Sequence, residues 1–233
     1  MTSAVIKSIA DHFNSHGFVL VKHVIPHELV DKTLRFLPSY IDNKYGPNYQ
    51  STHTDNPLSG CGQTISEQYF VPLAQMLKLS GVLDAILGPT SFLRIPPGCR
   101  AVHPNHPEGL GPAHQDGGRL HDMEEFVTAW IPFVEIDNEC GGLGLYPSLG
   151  IPPGPIPEGT HGIDMGARVP KPVHMSPGDV LIFHKWLPHI SMPNTSNRIR
   201  YSFDMRFYSS LKGGQKKQAI DLQKWRWVNP PNN

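Results

Sequence analysis

His114-Gln115-Asp116 is followed after seventy-three residues by His189 and, eleven residues further on, by Arg200. A His-X-Asp pair with a distant second histidine is the residue set of a two-histidine, one-carboxylate face. Such a face holds Fe(II) and leaves positions open for O2 and a co-substrate. On an extended segment, residues two apart project to the same side, so His114 and Asp116 can take adjacent positions on one ion. An arginine placed shortly after the second histidine suits the far carboxylate of 2-oxoglutarate, because its planar fork matches a carboxylate and a lysine does not. The chemistry expected of this set is an oxidation that depends on Fe(II), 2-oxoglutarate and O2. With thirteen histidines in the chain, a lone His-X-Asp is weak, and its downstream context supplies the weight. His184 and Arg198 are the competing assignments for the second histidine and the clamp. The His-to-Arg spacing favours His189 and Arg200.

The elements that must position these residues are short strands behind a helical N-terminal part. Apolar residues at helical spacing and a following Gly17 predict a first helix over 3–16, and a β-branched run predicts a strand over 17–25. Pro26 opens a second helix to about residue 41, a polar loop follows over 45–63, and a further helix is expected over 68–88. Beyond it, segments 90–95, 127–135, 143–146, 178–183 and 198–209 read as strands. The stretch 150–172, rich in proline and glycine, reads as a long loop and the best candidate for a lid. In the last strand, Ile199, Tyr201, Phe203, Met205 and Phe207 share one face and Arg200, Ser202, Asp204 and Arg206 the other. The polar face is either solvent-exposed or the lining of a barrel lumen that holds a carboxylate ligand. The nearby His189 favours the lumen, and Ser202 is then placed to give a hydroxyl to the same carboxylate as Arg200.

Composition narrows the class. A chain of 233 residues is expected to form one domain, 1–233, with helices over about 1–88 packed on a strand core over about 90–210. Twenty basic residues balance twenty acidic ones, so no net field favours nucleic acid or an anionic membrane as partner. Cys61, Cys99 and Cys140 are too scattered for a zinc-type pair or a disulfide framework, and read as free thiols in a reducing compartment. No secretory pattern and no run of about eighteen apolar residues is visible. A cytoplasmic protein acting on a small molecule is expected. Oligomeric state is not set by these features.

The wider pattern resembles the phytanoyl-CoA dioxygenase-like family of Fe(II)/2-oxoglutarate-dependent oxygenases over most of the chain. The resemblance is carried by the opening helix–Gly-Phe-Val–strand of His12 to Ile25, by His-Gln-Asp at 114–116 and by Thr128-Ala129-Trp130-Ile131-Pro132. Asn138-Glu139-Cys140-Gly141-Gly142-Leu143, the Gly178-to-His184 strand, the His189-x-Ser191-x-x-Asn194 turn and Arg200 continue it. It implies a mostly β protein with flanking helices and a double-stranded β-helix (jelly-roll, cupin-like) core. It implies that His114, Asp116 and His189 bind iron, and that Arg200, Ser191 and Trp130 contact 2-oxoglutarate. The implied reaction is hydroxylation or related oxidation of a C–H bond, with release of succinate and CO2. Retention of the Asp116 carboxylate points away from the family's halogenating members.

The departures concern the substrate. Leu145-Tyr146-Pro147-Ser148-Leu149-Gly150 stands where the family reads Ile-Pro-Gly-Ser-His, and no residue matches its additional N-terminal co-substrate contact. Few basic residues cluster over 95–125 or 150–175, which gives little support for a coenzyme A thioester. His103, His106 and Gln115 are the only substrate contacts the sequence suggests. The rival readings are another jelly-roll metalloenzyme, cupin-type or a zinc hydrolase, and a binding protein without turnover. Neither has evident use for a strand-borne arginine beyond the last ligand.

Overall fold

The computed structural model describes residues 1–47, 49, 65–106, 110–117, 125–146, 162–211 and 218–228. Helix α1 (Ser3–His16) stops at Gly17, whose N–H donates to the Phe13 carbonyl, and strand β1 (Phe18–Val21) follows. Helix α2 (His27–Tyr45) runs four residues past the expected end. The helix expected over 68–88 is two: α3 (Glu67–Leu79) and α4 (Val82–Leu87). Between them Gly81 sits at φ 79°, a left-handed conformation that ends one helix and starts another on a new axis. The apolar period continues through this break, which is why the pattern alone read as one helix.

The remaining strands are β2 (Phe92–Arg94), β3 (Gly98–Val102), β4 (Phe126–Pro132), β5 (Leu143–Leu145), β6 (Lys171–Pro172), β7 (Val180–His184), β8 (His189–Ser191), β9 (Arg200–Tyr208), β10 (Ala219–Asp221) and β11 (Arg226–Val228). All described pairings are antiparallel. Among the described residues the large sheet runs β1-β7-β4-β9-β2-β10-β11 with β3 also paired to β9, and the small sheet runs β6-β5-β8. Two such sheets make the double-stranded β-helix of a jelly roll. The sheet extends beyond the expected limits of 90–210 in both directions: β1 forms one edge and β10 and β11 the other. Part of the expected 150–172 loop is strand β6, paired with β5. Residues 51–63, 147–150 and 151–161, with Cys61, His121 and His161, lie outside the described residues.

Period-two alternation gives the large sheet two faces with different tasks. Val127, Ala129 and Ile131 of β4, Val180 and Ile182 of β7, and Tyr201, Phe203, Met205 and Phe207 of β9 join Phe13, Val30, Leu37, Leu73 and Leu77 of the helices in the main core. Trp130 of β4 and Leu181 and Phe183 of β7 face the other way, into a second core with Leu143 and Leu145 of the small sheet. The polar side of β9 is thus neither solvent-facing nor apolar: Arg200 and Ser202 are fully buried and Asp204 is 8% exposed. It lines the space between the sheets.

Candidate metal and anion site

His114 and His189 come together because each donates its backbone N–H to the other's carbonyl, at 2.9 and 3.0 Å. This single antiparallel bridge sets two residues that are distant in sequence opposite one another, with ring centroids 4.4 Å apart. The Nδ1 of His114 lies 3.0 Å from the Pro112 carbonyl, and the Nδ1 of His189 lies 3.0 Å from the Leu187 carbonyl. A carbonyl only accepts, so each Nδ1 carries the proton, and the lone pair of each ring lies on Nε2. Phe183 packs its ring 4.7 Å from that of His189.

Asp116 completes the set. Candidate ligand atoms of His114, Asp116 and His189 all lie within 4.8 Å of one another, and all three residues are buried. One carboxylate oxygen of Asp116 accepts a 2.6 Å hydrogen bond from the Thr128 hydroxyl, and the other faces Arg206 Nη2 at 3.3 Å. Thr128 and Arg206 are themselves cross-strand partners on β4 and β9. Burial pushes the Asp116 carboxyl up. Arg206, His189, the Thr128 hydroxyl and His114 outweigh it and hold the group well below the usual carboxylate range. Asp116 is therefore ionised at neutral pH, the form a metal requires. The enclosed space beside the three residues is about 20 Å³, enough for one ion or water.

The other end of the β9 polar face is built differently. Arg200 is wholly buried, and its Nη1 donates to the carbonyls of Gly141, Gly142 (2.9 Å) and Met192 (3.5 Å). The two glycines permit this approach, since a Cβ on Gly141 would meet the Pro193 carbonyl at 2.2 Å and one on Gly142 would meet Ile136 at 2.5 Å. Nε and Nη2 of Arg200 have no hydrogen-bond partner. The same holds for Nε1 of Trp130, whose ring lies 5.8 Å from the guanidinium carbon, and for the hydroxyl of Ser202. Buried polar atoms of this kind are rare, and an isolated buried charge is costly. Burial pulls Arg200 down to about 10, with Cys140 and Asp204 offsetting part of this and Arg100 adding to it. The guanidinium still carries its charge at neutral pH. A carboxylate reaching Nε, Nη2, the indole N–H and the hydroxyl would satisfy the group, so these donors fit the distal carboxylate of 2-oxoglutarate.

The competing residues are engaged elsewhere. His184 Nε2 faces Glu125 at 3.2 Å, and its Nδ1 accepts from the Trp186 backbone. Arg198 precedes the strand and pairs with Asp137 at 2.6 Å, with 40% of its side chain exposed. Ser191 lines the cavity with the three candidate ligands. Gln115 projects oppositely to its neighbours and donates to the Trp186 carbonyl. His103 is buried and His106 half-buried, and neither lines that cavity. Arg100, Leu143, Phe183, Asp204 and Arg206 do. The alternation on β9 already put Asp204 and Arg206 on the right face. The role of Thr128 was available only as the residue two before Trp130, and Arg100 gave no signal at all.

A family model described as phytanoyl-CoA dioxygenase (PhyH) matches residues 13–202. A 1-deoxypentalenic acid 11-beta-hydroxylase of Streptomyces exfoliatus is 32% identical over 120 residues, 43% of this chain and 41% of that protein. Its namesake from Streptomyces arenae is 31% identical over the same share of each chain. The matched segment thus spans less than half the length of these curated relatives. Among solved structures, the non-haem α-ketoglutarate-dependent carbocyclase SnoK of nogalamycin biosynthesis superposes with a TM-score of 0.69 at 16% identity, covering 97% of this chain and 93% of that one. The epimerase SnoN, solved with Fe3+, α-ketoglutarate and a nogalamycin compound, gives 0.65 at 16% identity over 89% and 84%. At these identities the superpositions establish the fold.

Proposed function

The chain belongs to the phytanoyl-CoA dioxygenase (PhyH) family, and from that premise we propose that it is an Fe(II)- and 2-oxoglutarate-dependent dioxygenase that hydroxylates, or otherwise oxidises, a C–H bond of a small molecule. One observation carries the reading: a saturated His-Asp-His set shares its lumen with a buried guanidinium whose remaining donors have no partner. In this reading His114, Asp116 and His189 hold the iron, and Arg200, Trp130, Ser202 and Ser191 hold 2-oxoglutarate. Bound ferrous iron and 2-oxoglutarate would supply O2 activation, with succinate and CO2 as co-products. The protein's own work is positional. The Pro112 and Leu187 carbonyls fix the imidazole tautomers, and Thr128 and Arg206 hold the Asp116 carboxylate in place. Arg200 orients the co-substrate by its far end. Phe183, Leu143 and Trp130 form apolar walls that limit water at the site.

We carry over from the relatives only that the substrate is a small molecule. Residues 1–233 acting as one domain, a cytoplasmic location and the absence of nucleic-acid or membrane partners are part of the same proposal, the last of them supported by the balanced charge. No described helix is long and apolar enough to cross a membrane. Anaerobic titration of the Fe(II)-loaded protein with 2-oxoglutarate tests the reading. A visible metal-to-ligand charge-transfer band is expected for the parent, and neither iron retention nor a band for Asp116→Ala. An iron-loaded parent without a band would leave a jelly-roll metalloprotein of another class.

A further inference from the structure

Three arginines reach the lumen, and two of them have assignments: Arg200 faces the co-substrate end and Arg206 pairs with Asp116. The third, Arg100 on β3, stands in register with Ser202 of β9, so its side chain emerges on the lumen side of the sheet. Its Nε donates to Asp204 at 3.0 Å, and it lines the same cavity as the three candidate ligands. Among the described residues this is its one hydrogen bond, and its two terminal nitrogens make none. Of the Arg100 side chain 38% is exposed, against 18% for Arg206, so among the described residues Arg100 is the more exposed of the two guanidiniums that line the cavity. Asp204, whose side chain is 11% exposed, holds the Nε of the fork, and a Cβ on Gly98 would come within 3.0 Å of that carboxylate.

Charge points the same way. Arg100 and Arg206 line the cavity with Asp116 and Asp204, and with Arg200 buried further along β9 three guanidiniums stand against two carboxylates among these described residues. A ferrous ion and the 2-oxoglutarate dianion cancel one another, so the loaded site retains one positive charge in excess. In a half-buried cavity that excess favours a ligand bearing a single negative charge. Leu143 and Phe183 give the same cavity an apolar wall.

We propose that Arg100 is the substrate anchor of this enzyme, and that its substrate is a small, largely apolar monoanion, a carboxylic acid by class, bound through the terminal nitrogens of Arg100. The inference rests on the proposed co-substrate chemistry, and one experiment separates the two. Protein loaded anaerobically with Fe(II) and 2-oxoglutarate is titrated with cyclohexanecarboxylate and, separately, with its neutral counterpart cyclohexanecarboxamide, while the charge-transfer band is followed. The acid is expected to shift the band at a concentration about tenfold lower than the amide, the scale of a charge-assisted fork contact. Arg100→Gln is expected to remove that advantage while keeping the 2-oxoglutarate band, which also shows that the variant is folded. Arg100→Lys, with charge but no fork, is expected to recover part of it. An acid no better than the amide, including no response to either, overturns the proposal. So does an acid that erases the band by displacing 2-oxoglutarate, an acid preference that survives in Arg100→Gln, or loss of the 2-oxoglutarate band in that variant. Absence of a band in the iron-loaded parent rejects the co-substrate reading itself, and this inference with it.

Discussion

At one end of the polar face of β9, Arg206 and Thr128 saturate the carboxylate of Asp116, and backbone carbonyls hold both imidazoles. At the other end, six residues away, Arg200 is buried with Nε and Nη2 unpartnered, beside an unpartnered indole N–H and hydroxyl. In the proposed reading the Asp116 carboxylate has its partners before any ligand arrives, whereas the donors around Arg200 would be satisfied only with one. The difference follows from what each must bind. Metal ligands need their lone pairs aimed and their charge state set, which surrounding groups can do in advance. An anion receptor must keep donors unsatisfied, and the protein carries that cost until the carboxylate enters.

Arg200→Met gives the sharpest test of this contrast. With the buried charge replaced by an apolar chain of similar length, the ligand-free protein is expected to melt a few degrees higher. Affinity for 2-oxoglutarate should fall by roughly 2–5 kcal/mol, or about thirtyfold and more. Differential scanning fluorimetry with and without 2-oxoglutarate reads both effects, and a variant less stable than the parent without ligand breaks the comparison. Thr128→Val acts at the metal end. It removes the hydrogen bond to Asp116 with little change of shape and is expected to weaken Fe(II) binding by about 10–100-fold and, by leaving a buried carboxylate oxygen short of a donor, to lower ligand-free stability by about 1–3 kcal/mol. Iron titration by calorimetry measures it, and unchanged affinity would detach Thr128 from the site.

The smallest expected effect concerns the turn whose glycines cradle Arg200. Asp137 accepts from the Cys140 and Glu139 backbone N–H groups and from Arg198. The Cys140 N–H, Arg198 and the Glu139 N–H lower its carboxyl to about 2, against a slight opposing effect of burial. Because the folded value lies below the unfolded one, this stabilisation is present above the ordinary 3.8 and is lost as pH falls toward 2. The group is exposed, so the difference is modest. Asp137→Asn should flatten a small part of the acid side of the stability profile, as read by thermal melts between pH 2 and 5.

Much of this arrangement was legible in the chain. The alternation from Ile199 to Phe207 placed Arg200, Ser202, Asp204 and Arg206 on one face, and His-X-Asp put two candidate ligands on one side. The helix break at Gly81 was hidden by an apolar period that continues through it. Strands β3, β6, β8, β10 and β11, two to five residues each, were not read from the sequence. Thr128 and Arg206 had their types and faces in view but not their shared target.

What the sequence determined by itself is whatever depends on neighbours along the chain: which side chains share a strand face, where the first helix stops, and which residues could ligate iron or clamp a carboxylate. What tertiary structure decided is whatever depends on register between distant segments. The His114–His189 bridge set His189 rather than His184 opposite His114, the β3–β9 pairing brought Arg100 into the lumen, and the β4–β9 pairing set Thr128 and Arg206 around Asp116. A strand's period fixes its faces. Only its pairing partner fixes what those faces meet, because a slip of one residue sends every side chain to the opposite side.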